Sequence, residues 1–256
     1  MTRGVNSRAA RVLLPILGVG SLVALWAIAS AVGWVPASSL PSPDRVVRRL
    51  PELLGTADYR DGVRDTLTTY AIALGGTALI AIPAGLVVGS IDALARPVMR
   101  AVDALRSVPS TALIPVAILF FGLGMQMKLA LAMYATAWPV LINTVYGVHA
   151  TEPMRLDVAR SLRWTWFQRQ VRVILPSALP SILTGLRVGS GIALVVIVSA
   201  ELLGAGSGVG VVIVRYQQAV LPELVYAGVI VIGAIGATLY ALMVRIERKV
   251  VTWAPR

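Results

Sequence analysis

Glu201 is the residue whose position most directly suggests chemistry. It is the one carboxylate within the long apolar run 188–214. An ionisable group at membrane depth is costly and is by default a functional hypothesis, because it can carry a proton, contact a solute or open a gate. The structural alternative is that Glu201 caps a broken helix or pairs with an arginine. Four glycines follow at alternate positions from 204 to 210, so the helix is expected to end just after Glu201, near an outer mouth.

Two further polar residues lie in apolar runs. Asn143 lies in the second half of the run 129–151, and Ser199 lies two residues before Glu201. Such side chains hydrogen-bond to neighbouring helices or line a solute path. Asn143, Ser199 and Glu201 are therefore the candidate pathway or gate residues, and a structural hydrogen bond is the commoner role for a residue like Asn143.

Patterns for covalent chemistry are absent from the sequence. His149 is the only histidine and there is no cysteine, so metal binding and thiol chemistry have no ligand set. Neither of the two lysines, Lys128 and Lys249, follows a glycine, so the chain has no phosphate-binding loop. The sequence predicts no catalytic residue, no metal site and no bound cofactor. The chain is expected not to be an enzyme and not to hydrolyse ATP alone.

The elements that position these residues are predicted to be membrane spans. The chain has 256 residues, of which 57% are hydrophobic and 14% are charged, against roughly 25% charged in an average soluble domain. A span needs about 20 apolar residues. Six segments qualify, and we predict an all-α membrane protein with spans at roughly 12–33, 66–89, 107–123, 129–148, 186–204 and 224–244.

The arginines set the predicted orientation. With the N-terminus in the cytoplasm, the inner segments carry 16 of the 23 lysines and arginines and the outer segments carry 7, Lys128 among them. Basic residues are enriched in cytoplasmic loops, so both termini are predicted to be cytoplasmic. The net charge of +11 then reflects topology and contact with anionic lipid rather than nucleic-acid binding. Trp34 and Trp253 are predicted to lie at membrane interfaces, with ordinary packing as the alternative.

Two regions are expected along the chain. Residues 1–65 comprise an uncleaved first span and an amphipathic stretch at 44–65 that is predicted to lie on the outer surface. Residues 66–250 form the compact body. Within it Gly85 and Gly89 form a G-x-x-x-G pattern, which allows close helix packing.

A basic, aromatic loop at residues 150–183 interrupts the body. It is predicted to form two short helices around a turn, with Arg163, Trp164, Thr165 and Trp166 at its tip. Aromatic residues and arginine dominate the energetic centres of protein interfaces, so the loop suits a cytoplasmic protein contact. The alternative is an amphipathic loop that rests on the bilayer face with its arginine head groups in water.

The loop resembles the signature E-A-A-x(3)-G-x(9)-I-x-L-P of permease subunits of bacterial ABC importers. Residues 157–159 (Asp-Val-Ala) match E-A-A, Arg163 stands at the glycine, and Val173, Leu175 and Pro176 match I-x-L-P. Further matches resemble the nitrate, sulfonate and taurine branch: Phe121-Gly122-Leu123-Gly124, Asn143-Thr144, residues 179–187, Ala200-Glu201 and Gly208-Val209-Gly210. The resemblance covers roughly residues 35–250.

The resemblance implies a role for the loop. It would form a coupling helix that docks in a groove of a cytoplasmic ATPase subunit, with residues 162–167 inserted and Arg160 and Arg169 flanking them. The docking residues implied are Asp157, Val158, Ala159, Arg160, Leu162, Arg163, Trp164, Thr165, Trp166, Phe167 and Arg169.

The resemblance also implies partners. They are an ABC ATPase dimer that holds ATP and Mg²⁺, a second permease subunit (a homodimer in this branch), an external solute-binding protein, and the bilayer of the bacterial cytoplasmic membrane. The solute implied is a small organic anion such as a sulfonate or taurine, or a nitrate-like ion.

The sequence departs from the signature at Arg163, which stands at the position of the glycine. If the glycine position needs a positive φ, Arg163 bears a conformational cost that glycine does not.

An ion-gradient-driven secondary carrier, with Glu201 as its titrating group, is the main rival interpretation of the function. A membrane scaffold or membrane enzyme is the other, and the lack of a catalytic constellation counts against an enzyme.

Overall fold

The computed structural model describes residues 8–33, 35–36 and 38–251, and within them it contains helices and no strand. The all-α membrane fold is therefore confirmed. Trp34 and Trp253 lie outside the described residues. The helices are α1 (Arg8–Val32), α2 (Pro43–Gly55), α3 (Ala57–Ser90), α4 (Asp92–Leu105), α5 (Ile114–Phe121), α6 (Met125–His149), α7 (Pro153–Ser161), α8 (Trp166–Arg169), α9 (Leu175–Leu203), α10 (Val209–Gln218) and α11 (Pro222–Val250).

Four helices are long and apolar enough to cross a membrane: α3, α6, α11 and the continuous helix Trp166–Leu203, which joins α8 to α9. The helix α4 and the segment Ser110–Phe121 meet at 70° and qualify together as one bent span. The apolar part of α1, Leu17–Val32, is shorter than these spanning helices. The third predicted span, at 107–123, thus corresponds to the second arm of a bent pair, whose first arm is the amphipathic helix α4.

Close packing of α6 between α3 and α9 forms the centre of the bundle. A Cβ atom on Gly85 would lie 2.6 Å from the Cβ of Thr144, and one on Gly89 would lie 2.8 Å from the Cβ of Val148. The close approach predicted from the G-x-x-x-G pattern is thus confirmed. On the other side of α6, a Cβ on Gly185 would lie 2.8 Å from the Cβ of Asn143. The absence of side chains at these positions lets the three helices approach closely.

The amphipathic stretch near the N-terminus packs more deeply than the sequence suggested. Val46 and Leu53 of α2 are fully buried, in a cluster that includes Tyr59, Val209 and Leu224. Because α3 begins at Ala57, the boundary predicted at residues 65–66 falls inside a helix. The apolar face of α2 is therefore part of the core, and the location of 44–65 on the outer side of the membrane stays a prediction.

The two ends of the bundle differ in character. At one end, here called the loop end, α6 finishes at His149 and α9 begins at Leu175, so residues 150–174 are carried between these two helices. At the other end, here called the glycine end, α6 begins at Met125, α9 finishes at Leu203, and the glycine-containing segment 204–208 leads into α10.

Candidate functional site

The segment 150–174 at the loop end presents a row of apolar side chains. It forms two short helices, α7 and α8, around a turn, as predicted. Phe167 is 69% exposed, and the other exposed apolar side chains of the segment are Met154, Val158, Leu162, Trp166 and Val171. Large exposed apolar patches mark sites of interaction with other molecules.

The turn between the two helices has the geometry of a helix end that glycine usually completes. Arg163 has a φ of 54°, the left-handed region. The amide of Trp164 donates to the carbonyl of Ala159 at 3.1 Å, a six-to-one bond that closes the last turn of α7. The signature glycine thus coincides with a position that does require a positive φ, and Arg163 bears the cost of about 1 kcal/mol that a side chain meets there.

Trp164 is held against the segment itself. The guanidinium of Arg172 lies over its ring, 5.4 Å from the ring centroid, and the residue is half-buried. The sequence placed Trp164 among the inserted residues. The structure places it in the wall of a groove of about 390 Å³, together with Met154, Val158 and Leu162.

Thr165 begins α8. Its hydroxyl accepts from the amide of Gln168 at 3.3 Å, and the side-chain oxygen of Gln168 accepts from the amide of Thr165 at 2.8 Å. This reciprocal capping box satisfies two amides at the start of a helix. It fixes the direction in which Trp166 and Phe167 leave the turn.

The charges of the segment are mostly paired locally and exposed. Asp157 accepts from Arg160 at 2.8 Å, and Glu152 accepts from Arg155 at 3.2 Å. Exposed pairs of this kind contribute about 1 kcal/mol or less. The segment 150–174 contains five arginines and two acidic residues, so a net charge of +3 faces any partner.

Two other docking candidates lie against the body rather than outward. Ala159 is buried, and Arg169 is half-buried in the wall of a second cavity of about 360 Å³ that Trp166 and His149 also line. The adjacent Gln170 donates to the hydroxyl of Ser90 at 2.6 Å. These residues join the segment to α3 and α6, so it is attached firmly to the bundle.

At the glycine end Glu201 is 1% exposed and fully hydrogen-bonded. Lys128 donates to one of its carboxylate oxygens at 3.1 Å, and the hydroxyl of Thr66 lies 2.8 Å from the same oxygen. The amide of Gly210 donates to the other oxygen at 3.0 Å. Glu201 thus caps the first turn of α10, where a negative charge is favourable. These contacts match the structural alternative, with a lysine in place of the arginine, and the role in a pathway stays a prediction.

Lys128 is the residue that the sequence analysis missed. Counted among the outer-loop charges, it instead lies in the first turn of α6 and is 0% exposed. Its ammonium donates to Asp65 at 2.6 Å, to Glu201 at 3.1 Å and to the carbonyl of Ser207 at 3.0 Å. A lysine at the edge of an apolar run is an ordinary topology signal, so the sequence held no sign of its burial.

Asp65 completes the group. It also accepts from the hydroxyl of Ser207 at 2.8 Å. We call Asp65, Lys128 and Glu201 the ionic cluster. Removing one partner of a buried ion pair typically costs about 3–5 kcal/mol, because the other charge is left unpaired.

The other pathway candidates lie apart from this cluster. Asn143 lies about 22 Å along α6 from Lys128 at 1.5 Å per residue, and it donates to the carbonyl of Pro139 in its own helix at 2.8 Å. Ser199 is half-buried in α9, about 200° around the helix from Glu201. The three candidates therefore do not form one site within a single chain.

The chain is similar in sequence to known membrane transport proteins. Residues 81–252 match the family described as "Binding-protein-dependent transport system inner membrane component". SsuC of Bacillus subtilis, named an aliphatic sulfonates transport permease, is 33% identical over 91% of this chain and 84% of its own length. TauC of Escherichia coli, a taurine transport system permease, is 29% identical over 95% and 90%. NrtB of Synechocystis, a nitrate import permease, is 27% identical over 94% and 90%.

Solved structures show the same fold. A chain of the MetNI methionine ABC transporter in an inward-facing conformation matches with a TM-score of 0.66 at 20% identity, over 74% of this chain and 94% of that one. A chain of an amino acid ABC transporter matches with a TM-score of 0.63 at 17% identity, over 78% and 97%. The family match over residues 81–252 and the identity to SsuC show that this chain belongs to the binding-protein-dependent family of inner membrane components, the permeases of ABC importers.

Proposed function

We propose that two copies of this chain form the solute pathway of an ATP-driven importer, and that each copy contacts a cytoplasmic ABC ATPase subunit through the loop 150–183. Of this loop, residues 150–174 precede α9 and supply the contact. The chain itself binds no cofactor, and the ATPase dimer holds ATP and Mg²⁺.

The exposure of Leu162, Trp166 and Phe167 carries this proposal. The helix α9 has 29 residues, about 43 Å at 1.5 Å per residue, whereas a hydrocarbon core is about 30 Å thick. With the glycine end at one membrane border, roughly the first turns of α9 and all of the segment 150–174 extend beyond the other. Apolar side chains there face water unless a protein covers them.

The partner surface is expected to be acidic around an apolar centre. The segment 150–174 has a net charge of +3, and complementary charge speeds and orients association. Of the apolar residues implied as docking residues, Val158, Leu162, Trp166 and Phe167 have exposed side chains. Trp164 and Ala159 lie inward, and Thr165, although exposed, caps α8.

The solute is proposed to be a small anion delivered by an external binding protein. The relatives named above are described for sulfonates, taurine and nitrate, and a further one for bicarbonate. All of these solutes carry a delocalised negative charge on oxygen atoms.

The proposed location of the chain is the bacterial cytoplasmic membrane, with both termini in the cytoplasm.

The test is co-purification from native membranes in mild detergent, with partners identified and counted by mass spectrometry. We expect one ABC ATPase subunit for each copy of this chain. With two differently tagged copies, each tag should also retrieve the other. A pure chain without ATPase, under conditions that keep other ABC complexes intact, would overturn the proposal and favour the ion-driven carrier.

A double variant sharpens the test. Trp166→Ala with Phe167→Ala should reduce ATPase capture at least about tenfold, since aromatic residues at an interface centre contribute about 2 kcal/mol or more. Phe120→Ala is the matched control, because Phe120 is also exposed but lies in α5, outside the loop. Equal capture of the ATPase by both variants would show that the contact does not lie in the loop.

A further inference from the structure

The loop and the ionic cluster lie at opposite ends of the same two helices. The segment 150–174 joins the last residue of α6 to the first residue of α9. Lys128 lies in the first turn of α6, and Glu201 lies in the last turn of α9. A displacement of the segment therefore acts directly on this helix pair, and the ion pair joins the far ends of the same pair.

Close contacts between α6 and α9 leave little room for one helix to slide along the other. Near the loop end, a Cβ on Gly147 would lie 2.9 Å from the Cβ of Ser181, and further along a Cβ on Gly185 would lie 2.9 Å from the carbonyl oxygen of Pro139. Close-packed interfaces of this kind hold discrete arrangements and do not deform continuously. The two helices are thus expected to move together.

The ionic cluster extends this connection to two more helices. Asp65 and Thr66 belong to α3, and the amide of Gly210, which donates to Glu201 at 3.0 Å, belongs to α10. The fit is tight, because a Cβ on Gly208 would lie 2.0 Å from a carboxylate oxygen of Glu201. Ser207 is held from two sides, its carbonyl by Lys128 and its hydroxyl by Asp65.

We propose that Lys128 is a positioning residue of transport. Through Asp65 and Glu201 it joins the glycine ends of α3, α6, α9 and α10 into one block, so that force applied at the segment 150–174 moves the whole block. This inference rests on the proposed contact between the segment and an ATPase.

The first experiment uses the complete importer, reconstituted in liposomes with its ATPase and binding protein. Lys128→Met keeps most of the length of the side chain and removes its charge. We expect the complex to assemble and its basal ATP hydrolysis to persist, while the solute moved per ATP hydrolysed falls at least about tenfold, since a buried charge pair is lost.

Thr136→Val is the matched control. Thr136 is also fully buried in α6 and shares a hydrogen bond of 2.7 Å with Thr77 of α3, but it lies outside the ionic cluster. Its ratio of solute to ATP should stay at the wild-type value. If Lys128→Met lowers the amount of complex or the total activity but leaves this ratio unchanged, the residue has only a structural role and the inference fails.

A second experiment needs no variant, so it holds even if Lys128→Met does not fold. Amide hydrogen exchange of the wild-type complex is compared without nucleotide and with ATP and vanadate. Exchange at 126–131 and 197–212 should agree within about threefold between the two states, since a rigid block does not open locally. A difference larger than about threefold between the two states at these amides would overturn the inference. Absence of the ATPase from the complex would instead overturn the proposed function.

Discussion

Arg172 lies over the ring of Trp164, 5.4 Å from the ring centroid, and so fixes one of the two tryptophans of the loop in place. The other, Trp166, leaves the turn on a capped helix and is 45% exposed. Two aromatic residues two positions apart thus have different surroundings. Trp164 stabilises the shape of the segment, whereas Trp166 is exposed, as the proposed contact requires.

The two tryptophans should respond differently to truncation. Trp164→Ala should lower the stability of the segment by about 1–3 kcal/mol, since it removes a stacked, half-buried ring. Hydrogen exchange at residues 160–172 should show this as faster exchange. Trp166→Ala should leave that exchange unchanged and weaken ATPase capture. The division of roles is wrong if both variants speed exchange equally.

Arg163→Gly should stabilise the chain by about 0.5–1 kcal/mol, because glycine adopts the left-handed conformation without the contact that Cβ makes. Thermal unfolding in detergent measures the effect. Arg155→Gly is the control: Arg155 lies in α7, and glycine within a helix should destabilise by about 1 kcal/mol. A lower melting temperature for Arg163→Gly would show that the arginine makes a contact worth more than its conformational cost.

Val220 presents a second turn of the same kind. It has a φ of 56° just after α10, and the amide of Leu221 donates to the carbonyl of Tyr216 at 3.0 Å. A β-branched residue in this region is a conformational outlier. Val220→Gly should therefore raise the stability by about 1–2 kcal/mol, measured by thermal unfolding. Val229→Gly, in the helix α11, should have the opposite sign.

Helix packing can be tested at two glycines of α9. A Cβ on Gly185 would lie 2.8 Å from the Cβ of Asn143, whereas Gly191 has no such neighbour within 4 Å. Gly185→Ala should destabilise by about 1–3 kcal/mol, because α6 and α9 must separate. Gly191→Ala should be neutral or slightly stabilising in the monomer. Thermal unfolding compares them, and equal effects would contradict the observed packing.

The sequence predicted those parts of the fold that depend on local pattern. The apolar runs predicted the positions of the four long helices α3, α6, α9 and α11, whereas the predicted count of six spans is not confirmed, because the apolar part of α1 is shorter and 107–123 is one arm of a bent pair. The loop was predicted as two short helices around a turn, as found, but its last part, 175–183, belongs to α9. The sequence also predicted that Arg163 bears a conformational cost if the signature glycine needs a positive φ. Arg163 does have a positive φ, because the bond from the amide of Trp164 to the carbonyl of Ala159 requires a left-handed residue between them.

What the sequence could not predict depends on contacts between distant segments. The burial of Lys128 needs a carboxylate from α3 and another from α9, which lie 63 and 73 residues away in the chain. The burial of α2 likewise depends on α10 and α11. The amphipathic pattern of α2 is the same whether its apolar face meets a bilayer or a protein core, so pattern alone does not distinguish the two.

The turn formed by residues 170–174 closes with one residue more than an α-helical turn, within the continuous helix from Trp166 to Leu203. Such a turn absorbs one extra residue while the helix continues on both sides. The extra residue turns Trp166 and Phe167 by about 100° about the helix axis, relative to the positions that an unbroken α-helix continuing from α9 would give them. Loss of this turn would therefore direct the two residues that we propose as the contact with the partner toward a different side of the segment.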